Sequence, residues 1–167
     1  MGFFDKLTGT RQPNSGITPR PVEDVQAMLL GLNGPDVPYV VRDGAPEGAD
    51  LVAEWRLREP AWQTFFARTQ LSRALQIRMR FVSADHVVRT LDHQWEIEWI
   101  GGAPVSRKHT RGPAKTISRQ WTIERGDDGR LGLTETFNFD TDDMKDPLRD
   151  AVLKAGWTWR GIVYAKL

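Results

Sequence analysis

From Leu75 to Phe81 the chain alternates with a period of two: Leu75, Ile77, Met79 and Phe81 are apolar, while Gln76, Arg78 and Arg80 are polar. In an extended backbone successive side chains point to opposite sides, so this stretch predicts a strand with one dry and one wet face. The same rhythm places Leu51, Ala53, Trp55 and Leu57 opposite Val52, Glu54 and Arg56. It returns in Trp95, Ile97 and Trp99, and again from Trp157 to Tyr164. Half-wet strands belong to antiparallel sheets and argue against a doubly wound parallel one. Further strands are expected at 37–42, 86–91, 116–124 and 131–139. Ser83-Ala84-Asp85 and Asp92-His93 read as turns, and Gly101 to Ala114 as a loop bounded by Gly and Pro.

Three stretches change period. Val22, Val25, Met28, Leu29 and Leu32 recur every three or four residues behind Pro21, which predicts a helix ended by Asn33-Gly34-Pro35. Glu59-Pro60 opens a second helix around Trp62, Phe65 and Phe66, running to about Ser72. Asp146-Pro147 opens a third carrying Leu148, Ala151, Val152 and Ala155, closed by Gly156. The expected class is therefore α+β: a twisted antiparallel sheet of about six to eight strands packed on, or wrapped around, two or three helices. Leu51–Phe81 and Leu131–Ala165 both read strand, acidic-Pro helix, strand, and could be two related units.

Residues 1–20 are rich in Gly, Pro, Thr, Asn and Gln and show no period, which reads as a flexible N-terminal arm before a single domain at 21–167. The chain has 167 residues, enough for one self-sufficient core. With no cysteine, disulfides, thiolate metal sites and thiol nucleophiles are excluded. Phe3-Phe4 is followed at once by Asp5-Lys6, so no secretory leader is expected and the cytoplasm is the expected compartment. A net charge of +1 implies no strong global field, leaving any charged partner to a local patch.

Phosphate-binding glycine loops, nucleophile elbows and helical metal motifs are all missing, so neither a cofactor, a metal nor a catalytic residue is assigned. Three constellations remain. The favoured one is non-enzymatic binding of a small apolar ligand or a protein partner, a second copy of the chain included. It would use a Trp-rich sheet face or groove made of Trp157, Trp159, Trp95, Trp99 and Trp55, with Gly161 leaving a gap beside the terminal pair. The alternative is phosphate recognition, on nucleic acid or an anionic membrane, by a basic loop holding Arg107, Lys108, Arg111, Lys115 and Arg119. The third is a small hydrolase- or isomerase-type enzyme drawing on Asp85, His86, Asp92, His93, Glu96 and Glu98, with Arg78, Arg80 and Arg89 close in sequence. Cross-strand ion pairs and turn chemistry account for most of those last residues without any catalysis.

Overall fold

The computed structural model describes residues 3–69, 73–111, 117–125, 131–140, 142–163 and 167. Its elements are α1 (Phe3–Thr8), α2 (Val22–Leu30), β1 (Tyr39–Asp43), β2 (Leu51–Trp55), α3 (Pro60–Thr69), β3 (Arg73–Val82), β4 (Val87–Ile100), β5 (Ala103–Arg111), β6 (Ile117–Arg125), β7 (Leu131–Asp140), α4 (Asp142–Lys154) and β8 (Thr158–Gly161). β1 to β5 form an antiparallel meander, β8 joins β4 in parallel, and β6–β7 is a separate hairpin. The fold is α+β, with a mostly antiparallel six-stranded sheet.

Register decides which side chains share a face. β3 and β4 pair over ten positions, from Arg73 opposite Glu96 to Val82 opposite Val87. Leu75, Ile77 and Met79 thus share one face with Ala53 and Leu51 of β2 and Val41 of β1. That face meets Val25 and Leu29 of α2, Phe66 of α3, and Met144, Leu148 and Val152 of α4 to make the core. Full burial of each such aliphatic side chain is worth about 1.5–3 kcal/mol. The other face carries no helix of this core cluster and is called the open face below.

Several local expectations are corrected. Asp92-His93 is not a turn: β4 runs unbroken through it for 14 residues, because β3 pairs along one side while β8 and then β5 pair along the other. Ladder hydrogen bonds on both edges outweigh the turn preference of a single Asp. Residues 103–111, expected as part of a loop, form β5; only Gly101-Gly102, both at positive φ, make the hairpin turn. α2 stops at Leu30, and its capping Gly31 is right-handed rather than left-handed. Asn33 instead turns its side-chain amide on β1, with Nδ2 donating to the Val41 carbonyl at 2.8 Å and Oδ1 accepting the Val41 N–H at 2.7 Å. That closes part of an edge strand. α4 opens at Asp142 rather than Asp146, and Pro147 lies inside it. The two strand–helix–strand stretches differ in build, since β2 and β3 pair with each other whereas β7 and β8 belong to different sheets.

Residues 3–20, read from composition as an arm, carry specific contacts to the body. Arg11 and Trp159 exchange backbone hydrogen bonds at 2.8 and 2.9 Å, and the Arg20 N–H reaches the Ala155 carbonyl at 2.9 Å. The Trp157 indole N–H donates to the Arg20 carbonyl at 2.8 Å. A Cβ at Gly161 would fall inside the van der Waals shell of the Thr8 carbonyl oxygen, so the segment is seated against a bare backbone. Gly161→Ala is therefore expected to lift this segment, lowering stability by about 1–3 kcal/mol and exposing residues 9–20 to limited proteolysis. An unchanged melting temperature and cleavage pattern would contradict the docking.

Candidate functional site

On the open face the alternation of β1 to β5 assembles a polar array that no single strand reveals. Arg42 of β1 is paired with Glu47, from the 3-10 turn Ala45–Glu47, and with Glu54 of β2, its Nε donating to Glu54 Oε1 at 2.8 Å. Glu54 Oε2 accepts from Gln76 Nε2 at 2.8 Å, and Gln76 Oε1 accepts from Arg78 Nε at 2.9 Å. The relay crosses β1, β2 and β3 and ends on the Arg78 guanidinium.

Beyond it stands a pair of imidazoles. His93 lies opposite Gln76 on β3 and opposite Arg111 on β5, and its Nδ1 is 2.7 Å from His109 Nε2. One ring donates and the other accepts, so both being cationic is disfavoured. Trp95 completes the group, its ring 5.1 Å from that of His109 with 25° between the planes. Trp95 is half-buried and His109 exposed, so these rings offer an accessible aromatic surface. Next to it lies a groove of about 450 Å3, lined by Trp95, Ile97, Pro104, Ser106, Gln76 and Arg42 among others.

His93 itself is 4% exposed, and its Nε2 has no hydrogen-bond partner among the described residues. Burial, together with the nearby cations Arg78, His109 and Arg111, pushes its pKa down to about 4. The ring is neutral near pH 7. Burial and the neighbouring Arg111 and Arg42 also lower the pKa of Arg78, partly offset by Glu47. Among the described residues no carboxylate is hydrogen-bonded to Arg78 or Arg111. Among the described residues, cations thus gather around a neutral buried ring, and Glu47 only partly offsets them at Arg78.

The sequence-derived candidates separate. Trp157 and Trp159 are 1% and 3% exposed and belong to the core, and the gap expected at Gly161 is occupied by Thr8. Trp159 does touch a second cavity of about 400 Å3, but a polar one, bounded by Lys6, Arg11, Lys145 and Asp92. Trp55 is buried yet borders the open-face groove, and Trp99 packs partly on the core. Of the five tryptophans, Trp95 and Trp55 come together at one concavity.

The basic set is not one loop. Arg111 points to the open face with His93, Lys108 lies opposite Glu96 on the other face, and Arg107 is paired with Glu98. Arg119 lies on β6, and Lys115 falls outside the described residues. The meander set splits too. Alternation sends Asp92 to the helix side, where it pairs with Lys145 of α4, while its neighbour His93 faces the other way. His86 occupies the β3–β4 turn at φ 52° with its ring 5.5 Å from that of Trp157. Among the described residues none of the imidazoles is hydrogen-bonded to a carboxylate.

No family model, curated protein or solved structure matches this chain. The site is therefore read from its own geometry. The sequence pattern does not single out Arg42, Glu54 or Gln76 as site residues. Their alternation was visible, but bringing them to the His93–His109 group needed the registers of four strand pairs.

The depressed His93 pKa has a consequence for stability. Between its folded value near 4 and its unfolded value near 6.5, the unfolded chain binds the proton and the folded one does not. Stability must then rise with pH through that window, be fully present above about 6.5, and fall on acidification towards 4. The contribution is about 3 kcal/mol, and His93→Gln should remove that part of the pH dependence in urea melts at pH 4.5 and 7. A His93→Gln profile parallel to that of the parent chain would rule it out.

Proposed function

We propose that this chain is a binding protein rather than a catalyst, and that its open sheet face holds a ligand joining a negative charge to a planar ring. The observation that carries this reading is the convergence of Arg78 and Arg111 on the Trp95–His109–His93 group, without a carboxylate hydrogen-bonded to either guanidinium among the described residues. A guanidinium is a planar fork of donors suited to carboxylate or phosphate oxygens. The half-buried indole beside it supplies ring surface for stacking. Binding without chemistry is favoured because the nearest titratable pair is His–His, with no carboxylate among the described residues bonded to it to serve as its acid–base partner.

The test is a ligand panel of aromatic carboxylates and nucleoside monophosphates, read by Trp fluorescence and melting temperature. At a hundredfold excess over Kd a true ligand should stabilise the fold by about 2.7 kcal/mol. Trp95→Ala should abolish the fluorescence response, and Arg111→Gln should weaken binding by about 1.5–3 kcal/mol, the range for a hydrogen bond to a charged group. Should no ring-bearing anion shift the melting temperature at millimolar concentration, the reading is wrong.

A further inference from the structure

The open face does not end at the ring group. Two residues along β3 from Arg78 stands Arg80, which lies directly opposite Arg89 of β4. Arg89 in turn lies opposite Arg160 of β8. Three adjacent strands therefore place three arginines side by side on one face. Like charges directly opposite one another across strands are destabilising. The row is nonetheless present, and Arg80 Nε is buried with no hydrogen-bond partner among the described residues, although another of its nitrogens donates to the Gly48 carbonyl. Strand positions of this face thus carry Arg42, Arg78, Arg80, Arg89, Arg111 and Arg160 against Glu54, with Glu47 reaching in from its turn. The whole chain has a net charge of +1, so the positive charge is gathered on this side.

Distance then selects the ligand. Trp95 and Arg89 are six residues apart on one strand, about 20 Å at 3.3–3.4 Å per residue. A mononucleotide with its base on Trp95 and its phosphate on Arg78 and Arg111 comes within one strand repeat of Arg80, but it does not cover the row from Arg80 through Arg89 to Arg160. A chain of nucleotides reaches it. An anionic membrane would satisfy the arginines but supplies no planar ring for Trp95 and His109. A double helix keeps its bases stacked inside, away from a sheet surface.

We infer that the ligand is single-stranded nucleic acid, its bases stacking at Trp95 and His109 and its backbone running over Arg78 to the row Arg80, Arg89 and Arg160. The inference rests on the reading of the open face as an anion-and-ring site, and narrows it to a polymer. A footprint of about 4 nucleotides is at the short end for single-strand-binding folds.

The experiment uses the full chain with fluorescein-labelled eight-nucleotide oligo-dT and oligo-rU, uridine monophosphate, and vesicles of phosphatidylcholine with phosphatidylserine. Oligonucleotides should bind at least tenfold more tightly than the mononucleotide and quench Trp fluorescence through Trp95. Their affinity should fall with salt, by about 0.7 log units per log unit of salt for each phosphate neutralised. Arg160→Ala, at an exposed position, should flatten that slope by about 0.7. Lys108→Ala removes the same charge from the other face and should leave it unchanged. If the mononucleotide binds and the oligonucleotides bind no more tightly, or if Arg160→Ala leaves the slope intact, the polymer inference falls while the anion-and-ring reading stands. Retention on vesicles through Arg160 without oligonucleotide binding also overturns the inference. If neither mononucleotide nor oligonucleotide binds, it falls too, and the aromatic carboxylates of the ligand panel decide whether the underlying reading survives.

Discussion

A one-residue slip of β3 against β4 would turn Leu75, Ile77 and Met79 to the open face and press Gln76, Arg78 and Arg80 against the helices. Everything else follows from that slip being forbidden. The apolar set is anchored by α2, α3 and α4 and is worth many kcal/mol, whereas the charged set could not be desolvated without far larger costs. The register is therefore fixed by the core, and the open-face array is its obligatory reverse side. The polar relay from Glu47 to Arg78 needs no force of its own to place it; the packing of Ile77 and Met79 has already done so.

The open face is nevertheless not an ordinary solvated surface. Val52 and Leu91 on it are 0% and 2% exposed, though they lie among arginines. Long side chains such as Arg can lay their methylene stems over apolar neighbours while their heads stay wet, which accounts for such burial. That arrangement holds the guanidiniums near the sheet and near one another. The resulting repulsion, the unpartnered Nε2 of His93 and the unpartnered Nε of Arg80 are all costs, each of about 1–3 kcal/mol where a buried polar atom lacks a partner. These two atoms lie on the face whose placement the core packing has already fixed, so the fold can carry their cost.

How much of this was legible beforehand can be traced residue by residue. The dry faces of β2 and β3 and the stripe of α2 were readable, because period and burial are local properties of the chain. Turn chemistry at Asp92-His93 misled, since whether two residues bend or continue depends on neighbours on both edges of the strand. The 103–111 segment misled for the same reason, as charged residues such as Arg107, Lys108 and Arg111 look alike in a loop and in an exposed edge strand. Trp157 and Trp159 alternate as strand neighbours would, yet β8 begins only at Thr158 and both rings lie in the core. What no pattern could show was that residues 8–20 close over that end of the sheet. The His93–His109 pair, separated by 16 residues, is invisible until β4 and β5 are set in register.

The net charge of the chain hides how its charges are placed. A value of +1 describes a sum, and the fold sorts its terms by face. Carboxylates such as Asp142 and Asp143 sit in the first turn of α4, where they complement the positive end of the helix, and Asp92 neutralises Lys145 on the helix side of the sheet. Six arginines, by contrast, share the open face from five strands, Arg42, Arg78, Arg80, Arg89, Arg111 and Arg160, as the pairings of β1, β3, β4, β5 and β8 show. A near-neutral chain can in this way carry a strongly cationic surface, because the two-residue period of a strand sorts charge by face before any partner is present.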